Sequence, residues 1–256
     1  MRVVLLPSNS TKDSELQYLT TFLVNDRVAI DGGSIGLALR PEEMSQIRHV
    51  VITHTHSDHL ATLPVFVAEV FTLLDGPVTI YGLPETIASL KEFVFNDRMW
   101  PDFQKIPLPD GSGPTIVFET IRVGAEASVG GLKIRPVPVN HIVPCVGLVV
   151  RDGDESVVFT SDTYRTREIW QAAKSAQGLR AVFVDVSFPN ELEGLAEASK
   201  HYTPRSLALD LKTARVNAEI YAVHIKPTNR AQVIQELAVL NNPPVHVAKI
   251  GKVYEW

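Results

Sequence analysis

Three histidines and an aspartate fall within six consecutive residues, His54-Thr55-His56-Ser57-Asp58-His59. They directly follow Val50-Val51-Ile52, and these β-branched residues predict a buried strand over residues 49–53. Beyond the end of such a strand, polar side chains can converge on one point without filling the core. The chain must therefore fold so that this strand ends at an open edge, and the pattern favours a metal site there over an ordinary polar turn.

Three later residues repeat this local context, because each follows an apolar run that predicts a strand. They are His141, Asp162 and His224. Each alone is a weak signal, since a single histidine near a strand is more often structural than a ligand. Together with the first cluster, they supply enough side chains to bind two metal ions.

Seven side chains are therefore candidate ligands. We predict one ion held by His54, His56 and His141, a second held by Asp58, His59 and His224, and Asp162 as a bridge between them. Imidazole and carboxylate ligands suit Zn²⁺, Mn²⁺ and Fe²⁺, with zinc the first expectation. The absence of thiolate ligands argues against a closed structural zinc site, and Cys145, the one cysteine, is expected to be a small buried thiol.

Apolar runs and turn residues give the rest of the architecture. In each half of the chain, strand-rich segments precede alternating helices and strands, which favours two packed sheets with helices outside. Residues 1–256 contain no linker that would separate two units, so we expect a single domain, and the Pro- and Gly-rich segment 96–114 is expected to be a long ordered loop inserted in it. Strands are predicted at 2–6, 18–24, 27–30, 49–53, 78–81, 115–123, 133–139, 146–150, 156–160, 181–186, 219–224 and 245–247, and helices at 64–74, 84–95, 166–176, 204–214 and 230–240.

The charge balance bears on the partners of the chain. It has 24 basic and 29 acidic residues, a net charge of −5, and no long basic run that could neutralise phosphates, so no stable nucleic-acid complex is expected. The most apolar longer stretch, 60–74, is shorter and more polar than the roughly 20 apolar residues that cross a bilayer. Without a recognisable signal peptide, a cytoplasmic location with no membrane partner is expected.

The cluster His-x-His-x-Asp-His resembles the metal-binding signature of the metallo-β-lactamase superfamily. Asp31-Gly32-Gly33 upstream, and His141, Asp162 and His224 downstream, follow the order that this superfamily uses. The resemblance implies an αββα sandwich, an α/β fold of two mixed sheets flanked by helices, with a hydrolytic site at the open end between the sheets. The signature is specific for the fold and much less so for the substrate.

Two further sets of residues resemble the class II cyclic-nucleotide phosphodiesterases of that superfamily. The first is the string 95–103, and the second comprises 186–190, 198–204 and 223–227. The resemblance implies a dinuclear phosphodiesterase that opens the 3′,5′ ring of cyclic AMP or cyclic GMP by attack of a metal-bridging hydroxide, giving a 5′-nucleotide. The second set also resembles the tRNA 3′-processing ribonucleases. That alternative stays open, as does a non-catalytic module that binds a cyclic nucleotide.

Charge also favours a phosphodiester substrate. Two divalent ions carry more positive charge than Asp58, Asp162 and a bridging hydroxide carry negative charge, so the site retains an excess that suits an anion. Two ions about 3.5–4 Å apart also stabilise the attacking and leaving oxygens of an in-line displacement at phosphorus.

Two residues are candidates for catalysis beyond simple metal binding. Asp58 is one, as a ligand of the reacting centre. His201 is the other, and it could donate a hydrogen bond to the phosphate or protonate the leaving 3′-oxygen. His201 also precedes Thr203-Pro204, a sequence typical of a helix N-terminus, so a purely structural role there is the alternative. Asp31 is expected to orient the histidine loop through hydrogen bonds.

Three other residues are candidates for contact with the substrate. Trp100 and Phe103 could stack on a purine, a contact worth roughly 1–3 kcal/mol, or could anchor a homodimer, since aromatic residues are enriched at interfaces. Asn190 is a further candidate. The expected partner is a small nucleotide, and a second copy of the chain is a candidate partner.

Overall fold

The computed structural model describes residues 1–8 and 15–256. Within these residues, fourteen strands form two seven-stranded sheets. In spatial order, sheet 1 contains β14 (Val253–Glu255), β1 (Arg2–Leu5), β2 (Phe22–Val24), β3 (Val28–Ile30), β4 (His49–Val51), β5 (Val78–Gly82) and β6 (Ile116–Thr120). Sheet 2 contains β13 (Val245–Val247), β12 (Glu219–Val223), β11 (Leu179–Asp185), β10 (Glu155–Phe159), β9 (Val146–Asp152), β8 (Leu132–Pro138) and β7 (Ala127–Val129).

Both sheets are mixed, and each divides into an antiparallel and a parallel half. In sheet 1 the pairs from β14 to β3 are antiparallel, and those from β3 to β6 are parallel. In sheet 2 the pairs from β7 to β10 are antiparallel, and those from β10 to β13 are parallel. Parallel neighbours end at the same edge, so loops that follow them lie side by side.

Nine described α-helices connect the strands. They are α1 (Ile35–Ala38), α2 (Pro41–Met44), α3 (Ser57–Leu60), α4 (Leu63–Val70), α5 (Pro84–Ser89), α6 (Glu168–Ser175), α7 (Glu193–Ser199), α8 (Pro204–Ala214) and α9 (Arg230–Leu237). Thr203 caps α8: its hydroxyl accepts a hydrogen bond from the backbone N–H of Ser206, and Pro204 takes the first helical position.

Three buried clusters hold the layers together. In β1, Val3 and Leu5 face the cluster between the sheets, whereas Val4 faces the cluster between sheet 1 and its helices. In sheet 2, Val158 and Val182 pack against helix residues in a third cluster. Because both faces of these strands are buried, their sequences are nearly continuous apolar runs. The predicted αββα sandwich is confirmed.

Several boundaries differ from the predictions. The strand predicted over 18–24 begins only at Phe22, and the helix predicted over 64–74 ends at Val70, followed by a 3₁₀ turn at Phe71–Leu73. The helix predicted over 84–95 is α-helical to Ser89 and then continues as a π-helix over Leu90–Val94. The elements α1, α2, α3, α7, β7 and β14, each of seven residues or fewer, were not predicted.

The segment 96–114 contains no helix or strand longer than an isolated bridge, as predicted. Its aromatic residues turn inward. Phe103 is buried in the cluster between sheet 1 and its helices, 6.1 Å from the ring centroid of Phe95, and Trp100 packs against the same cluster. Among the described residues, no helix is long and apolar enough to cross a membrane.

Candidate metal centre

The candidate ligands follow strands that end at one edge of the sandwich. The first cluster follows β4, and Asp31 follows its parallel neighbour β3. In sheet 2, His141, Asp162 and His224 follow β8, β10 and β12, which run in the same direction. Three positions at these turns, Asp31, Ser161 and His224, have positive φ angles of 62°, 54° and 61°. Left-handed backbone at non-glycine residues is uncommon, and it turns the chain sharply where each strand meets the site.

One group of possible ligand atoms comes from His54, His56, His141 and Asp162, and these atoms all lie within 4.8 Å of one another. Nε2 of His141 is 3.1 Å from Nδ1 of His56. Nε2 of His54 is 3.6 Å from Oδ2 of Asp162. The structure therefore brings together four of the side chains predicted to bind metal.

A second group comes from Asp58, His59 and His224. Its possible ligand atoms also lie within 4.8 Å of one another. Nε2 of His224 is 3.0 Å from Oδ2 of Asp58. Asp162 lies between the two groups, because its Oδ1 is 3.3 Å from His59 Nε2 while its Oδ2 is 3.6 Å from both His54 Nε2 and His224 Nε2. This carboxylate therefore lies within 3.6 Å of histidine nitrogens from both groups.

Hydrogen bonds to Nδ1 set the tautomers of His59 and His54. His59 donates from Nδ1 to Asp31 Oδ2 at 2.7 Å. Thr53 donates its hydroxyl proton to Asp31 at 2.9 Å, so its oxygen can accept from His54 Nδ1 at 3.0 Å and from Ser161 at 2.8 Å. The contact predicted for Asp31 is thus made through His59 directly and through Thr53. Each ring is left with its Nε2 facing the other ligands.

The same arrangement fixes His224 and His141. Ser187 donates its hydroxyl proton to Asp185 Oδ1 at 2.7 Å and accepts from His224 Nδ1 at 2.9 Å. His141 donates from Nδ1 to the carbonyl oxygen of Lys200 at 3.3 Å. In the neutral rings, Nε2 then carries a lone pair, which is the form that binds a metal ion.

Two buried nitrogen atoms without hydrogen-bond partners in the described part of the chain indicate that a cation fits here. Nε2 of His54 and Nε2 of His59 are buried and make no hydrogen bond among the described residues. Leaving such an atom without a partner costs about 1–3 kcal/mol, so native structures rarely contain one without a reason. The donor set of nitrogen and carboxylate oxygen suits zinc, manganese or iron. The residues present therefore fit divalent ions.

The electrostatics of the site are strongly polarised. Burial lowers the pKa of His54 well below its usual value, and neighbouring His59 adds to this effect. Burial opposes protonation of His59 and His224 too, but Asp162 with other carboxylates outweighs it, raising the pKa of His59 well above the usual value and that of His224 to about 9. The pKa of Asp162 is lowered despite its burial, chiefly by His224 and His59.

His201 lies beside this group, on a buried aspartate that the sequence analysis missed. Its Nδ1 is 2.7 Å from Oδ2 of Asp185, and its ring stacks on that of His224 at 5.4 Å. Burial alone would raise the pKa of Asp185, yet His201 and His224 lower it to about 2. The signal in the sequence was an acidic residue within the apolar run 181–186, where an unpaired charge would be costly.

The remaining candidates make other contacts. The Asn190 side-chain oxygen accepts a hydrogen bond from the backbone N–H of Arg205 at 2.7 Å, in the first turn of α8. Because Phe103 is buried within sheet 1 and its helices, its ring is not exposed to stack on a base or to anchor a homodimer, which corrects both expectations for this residue. Cys145 is buried, as predicted, with its Sγ 3.6 Å from the carbonyl oxygen of Asp162.

Comparison with known proteins agrees with this geometry. Residues 34–242 match the family model described as "Beta-lactamase superfamily domain". The match spans most of the chain, and the protein therefore belongs to the β-lactamase superfamily, which confirms the family predicted from the histidine motif.

Two relatives with assigned names are similar to this chain in sequence. The chain is 27% identical over 183 residues to a probable 3′,5′-cyclic-nucleotide phosphodiesterase of Yersinia pestis, a match that covers 65% of this chain and 50% of the relative. It is 31% identical over 120 residues to a 3′,5′-cyclic-nucleotide phosphodiesterase of Schizosaccharomyces pombe, covering 45% of this chain and 31% of the relative. The chain thus spans half or less of the length of these relatives.

Solved structures share the fold. Unliganded yeast PDE1 superposes with a TM-score of 0.80 at 17% identity, and the match covers 98% of both chains. A diphosphatase of the PhnP family gives a TM-score of 0.70 at 18% identity, covering 100% of this chain and 97% of the other. At these identities, the likeness extends to the fold alone.

Proposed function

We propose that the protein is a dinuclear metal-dependent phosphodiesterase that hydrolyses 3′,5′-cyclic nucleotides, such as cyclic AMP or cyclic GMP, to 5′-nucleotides. One observation carries the proposal: Asp162 lies between two groups of ligand atoms, each compact enough to hold one cation. The names of the Y. pestis and S. pombe relatives support the choice of substrate.

In this proposal, His54, His56 and His141 would hold one ion, Asp58, His59 and His224 would hold the other, and Asp162 would be available to both. Two bound divalent ions supply Lewis acidity and lower the pKa of a nearby water molecule. Zinc remains the first expectation for the metal, with manganese or iron as alternatives. The homodimer and the single-domain organisation over residues 1–256 also stay predictions.

The protein's own residues orient these ligands before any substrate arrives. Asp31 and Thr53 fix the rings of His59 and His54, and Ser187 fixes that of His224. Because these partners are themselves buried, the imidazoles cannot turn away from the centre at low cost. Partners of this kind typically account for 10–100-fold in metal affinity or activity.

His201 is proposed to protonate the leaving 3′-oxygen. Its Nδ1 is engaged by Asp185, so its Nε2 is left to carry a proton toward the departing 3′-oxygen. The buried carboxylate accepts the Nδ1 proton and holds the ring in one orientation, as a third residue does in catalytic triads. Protonation is needed here because the 3′-oxygen of a ribose is a poor leaving group.

Metal analysis and substrate profiling together test the proposal. We expect about two divalent ions per chain by elemental analysis, and turnover of 3′,5′-cyclic AMP or cyclic GMP in preference to 2′,3′-cyclic nucleotides and precursor tRNA. His56→Ala and Asp162→Ala should abolish turnover and reduce metal content while the chain stays folded. His246→Ala, at an exposed histidine on β13, is the matched control and should change neither quantity.

Particular results would contradict the proposal. Full turnover of a cyclic nucleotide by the Asp162→Ala variant would rule out the dinuclear mechanism. Cleavage of precursor tRNA without cyclic-nucleotide turnover would favour the ribonuclease alternative, and tight nucleotide binding without product in the presence of Zn²⁺ or Mn²⁺ would favour the non-catalytic binding module.

A further inference from the structure

Lys226 reaches the second group of ligand atoms from its outer side. Its Nζ is 3.3 Å from Oδ2 of Asp58 and 3.3 Å from Nε2 of His224, two atoms that are themselves 3.0 Å apart. The ammonium group therefore lies against one edge of the Asp58–His59–His224 group.

The backbone of Lys226 is held while its side chain stays partly exposed. Its N–H donates to the carbonyl oxygen of Ser187 at 3.2 Å, and its own carbonyl oxygen accepts from Asn229 at 2.9 Å, across the 3₁₀ turn Pro227–Asn229. The side chain of Lys226 is 34% exposed, against 6% for that of His224. The lysine thus approaches from the rim, and its tip can move without disturbing the strand end.

Lys226 also differs from the other basic residues that contact the carboxylates of this site. Among the ion pairs of residues 1–8 and 15–256, every other basic partner of Asp31, Asp58, Asp162 and Asp185 is a histidine. The amino group of Lys226 is therefore the one non-histidine basic group among these pairs, and it lies at the rim beside the second group.

We propose that Lys226 is a substrate-binding residue that contacts a non-bridging phosphate oxygen of the substrate from the rim of the metal centre. This inference rests on the proposed phosphodiesterase function and deepens it. A cation held by Asp58 and His224 would take up the single lone pair of His224 Nε2 and would repel the ammonium group, which weakens its present contacts. The flexible four-carbon stem of lysine lets Nζ turn to the next available anion.

Phosphate binding to the metal-loaded protein tests this role without requiring turnover. Inorganic phosphate is titrated calorimetrically into the parent chain, Lys226→Met and Lys226→Arg, after elemental analysis has shown equal metal content. We expect Lys226→Met to bind phosphate about tenfold more weakly, because a charge-assisted hydrogen bond is lost, and Lys226→Arg to stay within about threefold of the parent. Lys174→Met, at the last turn of α6, removes the same charge away from the site and should leave phosphate affinity unchanged.

Kinetics with cyclic AMP add a second measurement: KM should rise about tenfold in Lys226→Met, with kcat changed less than threefold. If the parent hydrolyses no cyclic nucleotide, the proposed function fails, while the phosphate titration still decides the role of Lys226. Equal phosphate affinity in Lys226→Met and parent at equal metal content would overturn the inference. Loss of metal from Lys226→Met would also overturn it, because the lysine would then act in building the metal centre.

Discussion

Nδ1 of His201 lies 2.7 Å from Oδ2 of Asp185, and the carboxylate is almost completely buried. The same carboxylate group accepts a hydrogen bond from Ser187, which in turn accepts from His224. Asp185 therefore joins the candidate proton donor to one of the candidate metal ligands, and the two roles can be separated by substitution.

Replacing His201 should impair the departure of the leaving group while sparing the metal centre. We expect His201→Ala to lower kcat for cyclic AMP by about 10²–10⁴, the usual contribution of a general acid. Metal content should stay at the parent value. A p-nitrophenyl phosphodiester should lose far less activity, because p-nitrophenolate departs without protonation. An equal loss on both substrates, measured by steady-state kinetics, would show that His201 does not donate the proton.

Asp31→Asn should weaken metal binding with little effect on the fold. The substitution removes the negative charge that orients His59 and Thr53, and asparagine tolerates the φ of 62° at this position. We expect zinc affinity, measured by chelator competition, to fall about 10–100-fold. Asp26→Asn is the control, because Asp26 also has a positive φ, of 56°, and lies in the β2–β3 turn. An unchanged zinc affinity in Asp31→Asn would rule out this role for Asp31.

The fold and the seven candidate ligands were predictable because their signals are local. The Val-rich strand β4 (His49–Val51) is buried at Val50 and Val51, and polar residues soon after such a strand must lie at the sheet edge. The same reasoning applied to His141, Asp162 and His224, and the structure places all three beside the first cluster. The position of each residue directly after a predicted strand was enough to predict that these side chains lie close together.

Other features depend on contacts that the sequence does not display. Strand β14 has three residues, and its pairing with β1 joins opposite ends of the chain. Asp185 resembles an ordinary strand terminus until His201, sixteen residues later, packs on it. Phe103 lies in a segment that the sequence predicts as a long loop, yet its ring packs beside Phe95 against sheet 1.

Gly33 should be essential for the position of the histidine loop. A Cβ added at this residue would meet the carbonyl oxygen of Asp58 and would lie 2.7 Å from the backbone nitrogen of Thr20. Since backbone atoms cannot yield cheaply, Gly33→Ala should lower the free energy of unfolding by about 1–3 kcal/mol and reduce metal content. Urea denaturation and elemental analysis measure the two effects.

Gly194→Ala is the matched control for this substitution. Gly194 lies in α7 with open space around its Cα, so alanine there should stabilise the protein by about 0.5–1 kcal/mol. If Gly33→Ala behaved like Gly194→Ala, then close packing between the Gly33 turn and α3 would not control the metal centre.

Metal binding to the metal-free protein should release protons at pH 7. Without a cation, Asp162 raises the pKa of His224 to about 9, so this ring is protonated at neutral pH and must lose its proton to offer Nε2 to a metal. Apparent zinc affinity should therefore increase as the pH rises from 7 toward 9. Calorimetric titration of zinc in buffers of different ionisation enthalpy measures the protons released. A binding enthalpy independent of the buffer would show that His224 is already neutral, or that it does not bind the metal.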